Sequence, residues 1–324
     1  MTGVAHDADG GARPKALVKG AGDLATGVAL RLFRSGFAVV MTEIARPTVV
    51  RRTVAFAEAV YEGRAVVEGV EGIKVDDPGQ IEAVLRQGAI PVVVDPEAAA
   101  LREVRPSLLV DAIMAKRNLG TSIADAPAVV ALGPGFLAGR DAHAVIETMR
   151  GHTLGRVIAN GEALPDTGIP GEVGGHAEER LLRAPAAGVF RSALHIGDRV
   201  SVGQIVGHVG DAPVGSRLDG VLRGLLHPGI EVTPGSKLGD VDPRAAREHC
   251  FTVSDKALAV AGGVLEAACA LLGGVRCRAA LPTSSASARG ASERLLTSSH
   301  RAPPRRASPQ RSTESQEASG ARPD

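Results

Sequence analysis

A chain of 324 residues carrying 37 Lys and Arg against 36 Asp and Glu is nearly neutral, at a formal +1, and its 44% hydrophobic content is ordinary for a globular protein. No apolar stretch reaches the roughly 18 residues of a spanning helix and the three cysteines, Cys250, Cys269 and Cys277, form no CxxC pair, so no membrane span, disulfide framework or structural zinc site is expected. Aromatic residues are limited to one Tyr and six Phe, leaving few stacking platforms, and with no basic face no specific nucleic-acid partner is expected either.

The length exceeds what one ordinary core needs, so two packed modules are expected, and the lack of a readable secretory signal makes the cytoplasm their expected location. Residues 1–14 are rich in Gly, Asp and Ala, and residues 273–324 hold nine Arg against four acidic residues among Ser, Ala and Pro. Both ends read as disordered, because such composition buries too little apolar area to offset chain entropy.

From Lys15 to about residue 180 the pattern is that of an α/β domain. Ala16-Leu17-Val18-Lys19 is a short apolar strand, Gly20 to Gly27 a glycine turn, "VALRLFRSGF" an amphipathic helix and "AVVMTEI" a second strand. That is the βαβ unit of a parallel sheet, and the expected class is a Rossmann-like α/β domain. Gly20, Gly22 and Ala25 fill G-x-G-x-x-G/A at the strand-to-helix junction, where main-chain amides at the positive end of a helix attract a phosphate. Glu43 closes the second strand, where an acid can accept hydrogen bonds from ribose hydroxyls. Asp23 departs from the pattern: its charge repels a pyrophosphate unless it serves a ribose, a metal or a loop amide.

Further strands read at 89–95, 107–115 and 128–136. Ligands collect at the carboxyl ends of such strands, and there the sequence places Asp95, Asp111, the trio Lys116, Arg117 and Asn118, and the glycines Gly133 and Gly135. The two cations and the amide of the trio offer an anion site. In "VIETMRGHTLGRVI", Arg150 and Arg156 are candidates to complete an anion clamp, and His152 to shuttle a proton. Gly- and Pro-rich residues follow as a connecting loop.

Residues 181–245 form the second module. Gly188, Val189, Arg191, Leu194, His195, Gly197, Val200, Gly203, Gly207 and Val209 recur 32 residues later, from Gly220 to Val241. Two such short copies are expected to pack about a pseudo-twofold axis as a flattened β sandwich. Symmetry alone would bring the repeated His195 and His227 together across that axis, and no metal site is assigned. A helix is expected at 254–272, within a segment 246–272 that packs back on the sheet.

The first copy, "APAAGVFRSALHIGDRVSVGQIVGHV", resembles the biotinyl/lipoyl type of barrel-sandwich hybrid. The hairpin between the copies has no lysine, so covalent biotin or lipoyl is not expected. With "KGAGDLATGVALRL", "RPTVVRRTVAFAEAVYEG", "VDAIMAKRNLGT", "ALGPGFLAGRDAHAVIETMRGHTLGRVI", "DTGIPG" and "GLLHPGIEVTPGSKLGDVDPR" in view, residues 15–272 resemble the YqeB family, accessory proteins of the selenium-dependent molybdenum hydroxylase system. Asp166 stands where that family usually shows Asn. The resemblance implies a cytoplasmic helper in maturing a molybdenum hydroxylase of the xanthine dehydrogenase kind, whose partners are that client or its other maturation factors. It supplies no catalytic residue.

Three readings follow. In the first, an accessory protein holds a dinucleotide or the molybdenum cofactor at its glycine turn. The second is an NAD(P)-dependent oxidoreductase using Gly20, Gly22, Glu43 and His152. The third is a non-enzymatic scaffold with an empty Rossmann-like domain.

Overall fold

Strand β1 (Lys15–Lys19) is buried from its second residue onward, and it runs through the glycine turn into helix α1 (Asp23–Arg34) and strand β2 (Ala38–Glu43). This computed structural model describes residues 13–273, all within one compact unit, Met1–Ala279. The disorder expected of residues 1–14 and 273–324 falls, apart from its inner edges, outside the described residues. After β2 come a short helix α2 (Ala59–Glu62), a hairpin of β3 (Arg64–Val67) and β4 (Val70–Val75), helix α3 (Ile81–Arg86), β5 (Ile90–Val94), helix α4 (Leu101–Val104), β6 (Leu108–Asp111) and β7 (Ala128–Leu132). Four two- or three-residue strands follow: β8 (Leu137–Ala138), β9 (Ala144–Ile146), β10 (Val157–Ile158) and β11 (Gly161–Glu162).

Nine of these strands form one sheet in the order β10-β9-β7-β6-β1-β2-β5-β4-β3. Every pairing from β9 across to β4 is parallel, and an antiparallel strand closes each edge. The apolar runs of β1, β6 and β7 are explained by burial on both faces of a parallel sheet. The strand expected at 107–115 ends at Asp111, because the chain turns there and the Asp111 side chain accepts the Ile113 amide at 3.2 Å.

The chain winds from β1 to β2 in one direction and crosses to β6 in the other, which opens a crevice above the carboxyl ends of β1 and β6. Lys19 and Asp111, the last residues of β1 and β6, are joined through Thr121. The Lys19 amine donates to the Thr121 hydroxyl at 2.7 Å, that hydroxyl donates to Asp111 at 2.6 Å, and all three residues are buried. Asp111, one of the polar strand ends noted in the sequence, is therefore paired beneath the crevice.

Residues 181–242 form two four-stranded sheets. One contains β12 (Leu181–Arg183), β14 (Arg199–Val200), β17 (Gly220–Leu225) and β19 (Lys237–Asp242), and the other β13 (Gly188–Arg191), β15 (Ile205–Val209), β16 (Ala212–Gly215) and β18 (Glu231–Val232). The register is reciprocal between the copies: Gly188 pairs with Val232, and Gly220, 32 residues after Gly188, pairs with Val200. Phe190 and Val209 likewise pair as Leu222 and Val241 do. The repeated Gly207 and Gly239 have a common cause: a Cβ would lie 2.5 Å from the Arg191 carbonyl in one copy and 2.3 Å from the Gly224 carbonyl in the other. Phe190, Leu222, Leu225 and Leu238 fill the interior shared by the two sheets.

Helix α5 (Asp255–Leu272) then lies against α1 and the sheet, burying Ala257, Val260, Ala261, Val264 and Ala268. Ser254 caps it by accepting the Ala257 amide at 3.2 Å. Small residues let it approach closely. A Cβ on Gly27 would lie 2.9 Å from that of Ala257, and one on Gly263 would lie 2.1 Å from the Gly155 carbonyl.

Candidate functional site

The glycine turn forms one wall of a cleft of about 700 Å³ at the carboxyl edge of the sheet. Gly20 holds φ +89°, and a Cβ there would lie 3.1 Å from the Ala112 carbonyl just beyond β6, so both the backbone angle and the tight passage exclude a side chain. Gly22 has an extended backbone, and the nearest atom to a Cβ would be 3.9 Å away. It keeps open the approach to the first turn of α1. The Gly22 carbonyl already accepts from Thr26, while the amides that precede it in the helix face the cleft end, the arrangement that attracts anions.

Neighbouring elements fix the turn. The Thr26 hydroxyl donates to the Ala21 carbonyl at 3.2 Å and accepts the Phe56 amide at 2.9 Å. The Glu43 carboxylate accepts the Ala21 amide and, through its other oxygen, the Ile44 amide, both at 2.8 Å. Burial lifts the Glu43 carboxyl above its ordinary value, and these two amides only partly oppose the rise. Asp95, Pro96 and Glu97 after β5, and Ala112 to Met114 after β6, complete the opposite walls.

Of the residues singled out from the sequence, Gly20, Gly22, Asp23, Ala25 and Glu43 line this cleft together. Asp23 leans toward Arg51, with 3.9 Å between Oδ2 and Nη1, so a nearby cation partly offsets its charge. The second group of candidates is dispersed. Lys116 pairs with Asp166 at 2.5 Å and lines a smaller neighbouring cleft of about 220 Å³ with Arg150, which pairs with Asp255 at 3.0 Å. The Lys116 amine holds the Asp166 carboxyl below its ordinary range, giving the residue that replaces the family's Asn an ion-pairing role.

Asn118 shapes its own loop, accepting the Gly120 and Thr121 amides at 2.9 and 2.7 Å. Arg117 is exposed, and its backbone is what Gly135 packs against, 2.6 Å from where a Cβ would sit. Gly133 is packed against the Thr148 side chain. His152 and Arg156 lie on an exposed turn and line none of these clefts. The proton-shuttle geometry expected of His152 is therefore absent at the main cleft. The paired histidines also part: His195 stands 3.8 Å from Asp198, whereas His227 stacks on Tyr61 and faces Glu62 at 3.7 Å.

The sequence reading missed a polar cluster where the sheet domain meets the β module. Asp240 is buried and accepts from Arg180 at 2.8 Å and from Arg223 at 2.5 Å. Burial lifts its carboxyl, and Arg223, Lys237 and Arg180 more than reverse the effect, leaving it below the ordinary range. Arg51 is 7% exposed and donates to the His249 and Thr252 carbonyls, while its Nε has no partner. The one available signal was the place where the two copies of the repeat stop matching: Ile205, His208 and Gly210 in the first answer to Lys237, Asp240 and Asp242 in the second.

Over 251 residues the chain is 47% identical to the uncharacterized protein YqeB of Escherichia coli K12. The likeness supports the YqeB family. The alignment covers 78% of this chain and 46% of YqeB, so the chain spans about half the length of that relative. No protein-family model matches the chain. Among solved structures, a succinylglutamate desuccinylase/aspartoacylase from Rhodobacter sphaeroides is 16% identical, with 71% of this chain and 85% of that one covered and a TM-score of 0.22. The product-bound ectoine utilization protein EutE from Ruegeria pomeroyi is 14% identical over the same shares, with a TM-score of 0.23. These structural likenesses are too slight to bear on activity. No helix among the described residues is long and apolar enough to cross a membrane.

Proposed function

We propose that this chain is an accessory protein in the maturation of a molybdenum hydroxylase of the xanthine dehydrogenase kind, and that it binds a phosphate-bearing cofactor at its glycine turn. The observation that carries the reading is the cleft itself: the turn, the start of α1 and Glu43 converge where the strand order reverses, the place at which Rossmann-like sheets take nucleotides. The likeness to YqeB supports the family to which that role attaches. Residues that would hold the cofactor are Gly22 and Ala25 through their backbone amides, with Gly20, whose own amide donates to the Thr42 carbonyl, shaping the turn, and Glu43 and Asp95 at the ribose side. The β module, which resembles a barrel-sandwich hybrid without a carrier lysine, is assigned to docking a client or another maturation factor.

A dinucleotide-dependent oxidoreductase is the second reading, favoured by the position of Glu43 at the end of β2. His152 lends it no support from its exposed turn.

Calorimetric titration with NADH, NADPH, a cytidine nucleotide and molybdopterin tests the binding. One of the last two is expected to bind, and Gly22→Val to weaken it at least about tenfold by filling the approach to the amides. NADPH binding with reduction of a small carbonyl favours the second reading. If nothing binds, and Gly22→Val leaves the molybdenum content of the hydroxylase unchanged in cells, the chain is a scaffold and the proposal is wrong.

A further inference from the structure

A second cavity, about 330 Å³, lies beyond the glycine cleft, between α1, the β module and the start of α5. The two clefts share Asp23, Leu24 and Val49, but their linings differ in charge. Around the second stand Arg51, Arg150, Arg180, Arg223, Lys237 and Lys256, against Asp23 and Asp240. Asp240 serves Arg180 and Arg223, Asp255 serves Arg150, and Asp23 serves Arg51. Among the described residues, neither Lys237 nor Lys256 has a carboxylate within ion-pair distance. Burial and the nearby Arg150 hold the Lys256 amine below its ordinary value, as expected of a cation lacking an anion. Arg51 adds a buried guanidinium nitrogen without a partner.

The other copy of the duplication forms its strands without this charge. The first copy pairs β15 with β16 in the register that joins β19 to β12, with Ile205, His208 and Gly210 where the second has Lys237, Asp240 and Asp242; beside β13 Arg191 pairs with His208, whereas the second copy shifts register so that Gly224 pairs with Asp240. Arg191, the counterpart of Arg223, is exposed and makes no ion pair with a described carboxylate. The charged set belongs to the copy that faces the α/β sheet. Helix α5 brings its N-terminal turn, with Ser254 and Lys256, to the same cavity.

We propose that this junction is a second ligand site, separate from the glycine turn, which takes a multiply charged phosphate group. Surplus cations around one cavity match a diphosphate better than a singly charged carboxylate, because its several negative charges offset more of them through charge-assisted bonds. The inference goes beyond the glycine-turn reading and stands if that reading fails.

The test measures binding of inorganic pyrophosphate and of ADP by calorimetry at low ionic strength, on the full chain and on two variants whose folding is checked by circular dichroism. One variant is Lys237→Ala with Lys256→Ala, and the other is Gly22→Val, whose backbone angles any residue can adopt. Pyrophosphate is expected to bind wild type, to bind the double-lysine variant at least about tenfold more weakly, and to bind Gly22→Val within about twofold of wild type. Lys237→Arg with Lys256→Arg is expected to retain binding. If both the double-lysine variant and Gly22→Val weaken ADP, the diphosphate belongs to a nucleotide spanning the two clefts and the idea of a separate site is overturned; if the double-lysine variant alone weakens pyrophosphate, the site takes a separate phosphate compound, as proposed. Absence of pyrophosphate binding to wild type, or equal affinity in wild type and the double-lysine variant, overturns the proposal.

Discussion

The Glu43 carboxylate accepts a 2.8 Å hydrogen bond from the Ala21 amide, so the acid that closes β2 holds the turn that follows β1. Its other oxygen serves Ile44, and the side chain braces two strand ends at once. A glutamine can accept through one atom only. Glu43→Gln is expected to lower unfolding free energy by about 1–2 kcal/mol, measured in urea.

That cost depends on pH with a definite sign. The folded-state value lies above 4.5, so in the window just above 4.5 the folded protein binds more protons than the unfolded chain. This group's contribution is fully present below 4.5 and is lost as pH rises through the folded value. Glutamine has no such loss. The deficit of Glu43→Gln relative to wild type is therefore expected to be larger below pH 4.5 than near neutrality, and an equal deficit at both would show that burial does not set the carboxyl's behaviour.

Asp23 and Arg51 make the second prediction. Their 3.9 Å pair leaves a negative charge on the rim of both clefts. Removing it with Asp23→Asn is expected to tighten binding of a phosphate ligand at the glycine turn by about three- to tenfold at low salt, with the gain shrinking at high salt. Calorimetric titration at two ionic strengths measures it. Weaker binding instead would mean that Asp23 contacts the ligand directly.

What could be read in the sequence follows from the range of each interaction. The βαβ start was legible because Gly20, Gly22 and the apolar runs on either side are local, and the repeat was legible because ten identities share one offset. The Lys116, Arg117 and Asn118 trio looked like one site because the residues are adjacent in the chain. In the fold Lys116 reaches Asp166, Asn118 folds onto its own loop and Arg117 backs onto Gly135. The basic cavity was illegible for the opposite reason: Arg51, Arg180, Lys237 and Lys256 are far apart in sequence, and only the return of the β module and α5 gathers them.

Below the glycine cleft, the buried Lys19 and Asp111 are mutually dependent. Asp111→Ala would leave the Lys19 amine buried with only Thr121 as partner, and is expected to cost about 3–5 kcal/mol in urea denaturation. Combining it with Lys19→Met removes the stranded charge. The double variant is expected to be more stable than Asp111→Ala alone, and additive losses would sink the idea that the two act as a pair.

Gly262 and Gly263 in α5 make a matched test of what seats that helix. A Cβ at Gly263 would lie 2.1 Å from the Gly155 carbonyl and 3.0 Å from Ile146, backbone and core atoms that cannot move aside freely, whereas nothing lies within 4 Å of one at Gly262. Gly263→Ala must push the helix off the sheet and is expected to cost at least about 2 kcal/mol despite alanine's better helix propensity. Gly262→Ala keeps that propensity gain without the clash and is expected to stabilise by up to about 1 kcal/mol. Because α5 carries Lys256 to the basic cavity, Gly263→Ala is also expected to weaken pyrophosphate binding there while Gly262→Ala leaves it unchanged. Equal stabilities for the two variants would show that close approach of α5 to Gly155 is not what holds the helix in place.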